Sequence, residues 1–187
     1  FVENLDREIY TMHAQSLAIL ADIVPAGARI VEAMNNEPNI HKTTIYFSHY
    51  YFEALRKTKR MDYFFKSMPL WFNLKKLGLC TTVEQPEPTR SDCHAWGAHP
   101  LFHFHASVCG VRPAAPGFKA IEITPQLEQL EFVDTTMPHP QGEIKVCLKN
   151  VAGKYSGTIT TPKGVPTKLI LPDGRTFEWL GGVYKVK

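Results

Sequence analysis

Between residues 80 and 105 the sequence reads C-T-T-V-E-Q-P-E-P-T-R-S-D-C-H-A-W-G-A-H-P-L-F-H-F-H, and most of the chain's polar chemistry is concentrated there. Glu84 stands in a stretch stiffened by Pro86 and Pro88; Arg90, Asp92, His94 and Trp96 follow within twelve residues. Carboxylates, an imidazole and an indole face are what a sugar-binding cleft uses. The acid groups accept hydrogen bonds from hydroxyls, and the ring packs on the apolar C–H face of a sugar.

Each neighbouring group also has a structural reading. His99 and His103 are spaced i, i+4, which suits a metal on one helix face. Pro100 occupies the position where a zinc-protease motif has Glu, and no third ligand is evident, so packing is the expectation and no metal is assigned. His105, two residues on, points elsewhere on a helix. Cys93 beside His94 is not a nucleophile pair, because adjacent helical residues do not face each other. Asp92 can cap a helix, and Arg90 can pair with Asp92 or Glu87. Trp71 is expected in the core, whereas Trp96 divides between core and sugar platform. Cys80, Cys93, Cys109 and Cys147 form no C-x-x-C pair, so they read as free buried thiols.

The elements that must hold this segment change character along the chain. Residues 1–110 carry 4 glycines and 6 prolines, and the shorter stretch 111–187 carries 8 of each. In the first part the apolar period is helical: Leu5, Ile9, Met12, Leu17 and Leu20 predict a helix that Pro25 ends. Further helices are predicted over 28–34, 46–57, 62–77 and 92–109. Asp62 is the expected N-cap of the fourth, Pro69 should kink or restart it, and Gly78 suits its C′ position. From Val111 the period becomes two. Strands are predicted over 120–124, 130–133, 143–148, 155–160, 167–171 and 182–186, with turns at 141–142, 150–153, 163–164 and 172–174. The expected organisation is helical hairpins over 1–110 followed by an antiparallel β-sandwich over 111–187.

Composition narrows the function classes. The chain is 44% hydrophobic and 21% charged, a globular balance, with a formal charge of +3. The densest basic cluster, 56–60, is too short for a nucleic-acid groove. No apolar run approaches the roughly 20 residues that span a bilayer. The chain opens on Phe1 without a visible signal peptide, and the compartment stays open between cytoplasm, periplasm and exterior.

Here a resemblance becomes specific. T-R-S-D-C-H-A-W-G-A-H-P (89–100), continuing to V-C-G-V-R-P-A-A-P-G-F (108–118), is very similar to the corresponding stretch of bacterial glycoside hydrolase family 78, the α-L-rhamnosidases. G-L-C-T-T-V-E-Q-P-E-P (78–88) resembles that family's G-x-T-T-x-x-E segment. H-A-Q-S-L-A-I-L (13–20), Y-F-S-H-Y-Y-F-E-A-L (46–55) and the stretch 117–146 with M-P-H-P-Q-G-E-I-K-V are also family-like. The likeness spans nearly the whole chain in the family's order.

The resemblance implies an (α/α)6-barrel catalytic domain, whose last hairpins are 1–110, followed by a C-terminal β-sandwich. It also implies inverting hydrolysis of terminal α-L-rhamnosyl groups from a glycan or glycoside, without a cofactor. Glu84 matches the family's general base, which takes a proton from the attacking water; His94 matches the histidine that contacts the rhamnose hydroxyls. Two departures stand out. Thr82 replaces the Trp often found two residues before the base, and no segment of 1–187 resembles the cluster that supplies the general acid. The chain is therefore expected to be a piece of a longer enzyme, inactive alone, whose partners are the substrate and the rest of its own catalytic domain. Its helices, exposing Phe64, Phe65 and Trp71, would favour a homodimer. The competing readings are another helical-barrel glycosidase, such as an α-L-fucosidase relative, and a carbohydrate-binding or purely structural sandwich.

Overall fold

A computed structural model describes residues 1–4, 6–23 and 28–187. Leu5 and Pro25, assigned above to the start and end of the first helix, lie outside those residues. The chain divides into two compact units, Phe1–Leu101 and Phe102–Lys187.

The first unit is helical: α1 (Met12–Leu20), α2 (Ala28–Asn36), α3 (Ser48–Lys57), α4 (Asp62–Ser67) and α5 (Pro69–Lys76). The first helix starts later than its apolar period predicts. Tyr10–Thr11 (β1) is held extended by parallel pairing with Ile40–His41 (β2). Thr11 then caps α1, its hydroxyl accepting from the Ala14 amide at 3.2 Å. Helix α3 buries Ser48, Tyr51, Phe52, Ala54 and Leu55 on one stripe and packs on α1. Around that contact Ile19, Met34, Phe52, Leu55, Met61 and Phe64 are sealed from solvent. Phe52 and Phe64 meet edge to face at 4.9 Å.

Three expectations change along this stretch. Met61, not Asp62, holds the capping position of α4. Asp62 is the first helical residue and pairs with Arg60 at 2.9 Å and Lys66 at 3.0 Å. Phe64, on α4, is core against Phe52, and Trp71, on α5, is half-buried. Leu17, Ile23, Phe72, Leu77 and Leu101 are among the apolar side chains that are exposed instead. Beyond Gly78 (φ +80°), the single helix expected over 92–109 is a 3-10 turn (Ala95–Ala98), one α turn (Pro100–His103) and a π turn (Phe104–Val108). Among the described residues, no helix is long and apolar enough to cross a membrane.

The second unit is one six-stranded sheet: β3 (Val111–Pro113), β4 (Ile121–Ile123), β5 (Phe132–His139), β6 (Gly142–Val151), β7 (Lys154–Ile170) and β8 (Thr176–Val186). The order is β3-β4-β7-β6-β5, with β8 also paired to β7. It is mixed rather than antiparallel, since Ile121–Ile123 runs parallel to Thr167–Leu169. The two strands predicted on either side of 163–164 are one strand, β7. Its register against β8 shifts between Thr161 and Pro166, and Val165, inside the shift, is buried. The first half of β7 pairs with β6 and the second with β4. Ile144, Val146, Leu148, Ile159, Leu169 and Leu171 fill the inner face.

The thiols differ from expectation. Cys80, Cys93 and Cys147 are exposed, and Cys109 alone is buried, which pushes its pKa up to about 12.

Candidate active site

The loop after α5 is a narrow hairpin without being a regular strand pair. The His94 amide donates to the Thr82 carbonyl at 2.8 Å, and the Glu84 amide donates to the Ser91 carbonyl at 3.0 Å. The Thr82 hydroxyl donates to the His94 carbonyl at 2.6 Å, and the Thr81 hydroxyl donates to the Asp92 carbonyl. The Asp92 side chain is exposed and caps nothing; His94 precedes the 3-10 turn.

Two anchors fix this hairpin to the helices. Val83 is buried against Ile45 and Leu74, with Leu70, Trp71 and Leu79 around them. The Trp71 indole N–H donates to the Gly97 carbonyl at 2.6 Å. Gly97 has to be glycine, since a Cβ there would lie 2.9 Å from both Thr82 Cβ and the Val83 carbonyl oxygen. The arm that starts at Thr82 and the arm that ends at Gly97 are thus pressed together.

Glu84 and Arg90 face each other across the neck. Arg90 Nε donates to Glu84 Oε2 and Nη2 to Oε1, both at 2.5 Å, a bidentate fork. The Glu84 side chain is 12% exposed and that of Arg90 79%, so the guanidinium covers the carboxylate from the solvent side. The hydrogen bonds from Arg90 hold the Glu84 pKa below the usual carboxylate value, and neighbouring His94 acts in the same direction. Arg90 therefore pairs with neither Asp92 nor Glu87; the Glu87 carboxylate accepts from the Thr89 amide at 2.9 Å.

His94 lies tilted against Trp96, with ring centroids 4.3 Å apart. Its Nδ1 is buried and has no hydrogen-bond partner among the described residues. Trp96 is 41% exposed and takes the edge of Tyr46 at 5.4 Å, with Tyr50 next to Tyr46 at 6.3 Å. Glu84, His94 and Trp96 thus share one stretch of surface, and the tyrosines extend its apolar wall. Chemically this is a carboxylate kept ionised, an imidazole with a ring nitrogen to offer, and aromatic faces open to a ligand. A separate cleft of about 340 Å3 lies among the helices, lined by Met12, Ile45, Tyr51, Phe52, Trp71 and Pro86; Glu84, His94 and Trp96 do not line it.

His99, His103 and His105 have structural partners. His99 Nε2 lies 3.0 Å from the Ile45 carbonyl and from the Ser48 hydroxyl, and burial lowers its pKa. His103 is buried with Nδ1 2.9 Å from Ser107 Oγ, and His105 Nδ1 sits 3.2 Å from Thr135 Oγ1. Sequence reasoning missed the Arg90–Glu84 fork and the contribution of Tyr46. The aromatic run at 46, 47, 50 and 51 was a signal for the latter, because a helix cannot bury all four.

The chain is similar to several known proteins. Residues 110–179 match the Bacterial alpha-L-rhamnosidase C-terminal domain. An alpha-L-rhamnosidase of Alteromonas sp. (strain LOR) is 25% identical over 186 residues, which cover 87% of this chain and 20% of that protein. The crystal structure of a GH78 family rhamnosidase of Bacillus sp. GL1 aligns with a TM-score of 0.69 at 27% identity, over 79% of this chain and 17% of that one. The Streptomyces avermitilis alpha-L-rhamnosidase complexed with L-rhamnose shares the fold, with a TM-score of 0.74 at 17% identity over 94% of this chain and 21% of that one. The chain spans about a fifth of the length of these relatives. Over residues 110–179 the chain is similar to the C-terminal domain of bacterial alpha-L-rhamnosidases, and over most of its length it is similar to proteins named as alpha-L-rhamnosidases, one of them of the GH78 family.

Proposed function

We propose that the chain belongs to a longer α-L-rhamnosidase that inverts configuration at the anomeric carbon, with Glu84 as its general base. The grouping of Glu84, His94 and Trp96 on one pinned loop supports this reading most directly. In an inverting glycosidase the two carboxyl groups stand roughly 6.5–9.5 Å apart, leaving room for a water between the base and the sugar. Glu84 takes the proton from that water as its oxygen attacks the anomeric carbon and the glycosidic bond breaks. The general acid, which protonates the leaving oxygen, comes from the rest of the enzyme. His94 binds a rhamnose hydroxyl through its free ring nitrogen, and Trp96 packs on the apolar face of the sugar. The helices of 1–110 are the last hairpins of an (α/α)6 barrel, and 111–187 is its C-terminal β-domain. The substrates are rhamnose-terminated glycans or glycosides.

The test is hydrolysis of an aryl α-L-rhamnoside by the full-length enzyme and its Glu84→Gln variant. Glu84→Gln is expected to lower kcat by about 10²–10⁴-fold, the usual contribution of a positioned base, while rhamnose still binds. Near-normal turnover by the variant removes Glu84 from the role. A β-configured first sugar product, seen by NMR before mutarotation, supports inversion; an α product refutes it.

A further inference from the structure

The fork between Arg90 and Glu84 raises a question that a base alone does not: why a proton acceptor should carry a guanidinium on both oxygens. A carboxylate offers about four lone-pair sites, and a bidentate arginine occupies two of them. One site on each oxygen remains for water. The fork fixes the plane of the carboxylate, because Nε and Nη2 are coplanar and each meets its own oxygen at 2.5 Å. The loop backbone fixes where both residues start, through the hydrogen bond that the Glu84 amide donates to the Ser91 carbonyl, one residue from Arg90.

We propose that Arg90 is the positioning residue of the Glu84 carboxylate, holding its plane and leaving one lone pair per oxygen for the nucleophilic water. This rests on the reading of Glu84 as base. Among the described residues, the groups that lower the Glu84 pKa are Arg90, chiefly through its hydrogen bonds, and His94. Glu84 then stays ionised to lower pH than a free carboxyl, and activity persists further into acid. The sign follows directly. A base works deprotonated, so removing Arg90 raises the Glu84 pKa and moves the acid limb of the kcat/KM profile to higher pH.

The experiment uses the full-length enzyme with Arg90→Ala, Arg90→Lys and Glu84→Gln, an aryl α-L-rhamnoside as substrate, and carboxyl ¹³C NMR to follow Glu84. Arg90→Ala is expected to lower kcat by about 10–100-fold, the scale of an ångström-sized misplacement, with KM nearly unchanged. Its acid limb and the Glu84 titration both move to higher pH, and added guanidinium restores part of kcat. Arg90→Lys returns the limb toward the wild-type position without restoring full kcat, since an ammonium supplies charge but no fork. An Arg90→Ala enzyme whose acid limb and Glu84 titration stay in place, beside an inactive Glu84→Gln enzyme, overturns the Arg90 proposal alone. A fully active Glu84→Gln enzyme overturns the base reading, and Arg90's catalytic role with it.

Discussion

Trp71 shows how a single side chain can hold the loop. Its ring lies 6.0 Å from Phe52, and its N–H reaches the Gly97 carbonyl. Trp71→Phe keeps most of the apolar contact and loses the hydrogen bond, so the expected loss of stability is about 0.5–1.5 kcal/mol. Chemical denaturation measures that value, and a loss within error would show that the bond to Gly97 contributes nothing. What the sequence conveyed at this scale was residue type: a carboxylate, an imidazole and an indole close together. It did not convey partners. Arg90 had Glu87 and Asp92 nearer in sequence, yet the hairpin turns the side chain of Glu84 toward it. Partner choice depended on backbone hydrogen bonds that no side-chain pattern announces.

Among elements, the long strand β7 is the least expected. Proline at 162 and 166 with Gly164 between reads locally as a turn, and proline is disfavoured inside a paired strand. The strand survives because its register slips there and β8 follows it with a kink of its own at Gly181–Gly182. Gly181 has φ +65°, and a Cβ on it would collide with the Pro162 carbonyl. Gly181→Ala is therefore expected to destabilise the β unit by more than about 1 kcal/mol. Hydrogen exchange should show the loss in β7 and β8 together, and unchanged protection there would mean that the kink is not needed. Helix positions were easier to read than strand continuity. The stripe of Tyr51, Phe52 and Leu55 lies within one helix, whereas β7 is continuous only because β4, β6 and β8 pair along it. The late start of α1 was hidden for a similar reason: Tyr10–Thr11 pairs with residues about thirty positions away.

Over the whole molecule, each unit has its own buried core, so the 187 residues carry two centres of stability rather than one. The helical unit also leaves Leu17, Ile23, Phe72, Leu77 and Leu101 exposed. We propose that the chain by itself self-associates through these side chains, since exposed apolar surface drives contact between copies. Size-exclusion chromatography with light scattering should give a mass above the 21.2 kDa monomer, and Phe72→Ser with Leu77→Ser should restore it. A compact monomer with one cooperative melt would count against this. The glycine and proline distribution suggested a change of character at 110–111. The division between the units, at 101–102, falls inside the stretch the sequence predicts as one helix, where helical geometry continues through changing turn types.

The pinned hairpin also sets the chain distances over which the site is assembled. The Glu84–Arg90 fork closes a segment of only six residues, whereas Trp71 reaches Gly97 across 26 and His99 reaches Ile45 across 54. Closure entropy grows with the logarithm of segment length, so the fork is the least demanding of the three to form from a disordered chain. The chemical tip of the loop and its attachment to the helices are therefore separate problems for evolution. The fork asks only that Glu84 and Arg90 keep their spacing, while Trp71, Val83 and Gly97 must be kept together for the loop to stay on the helices.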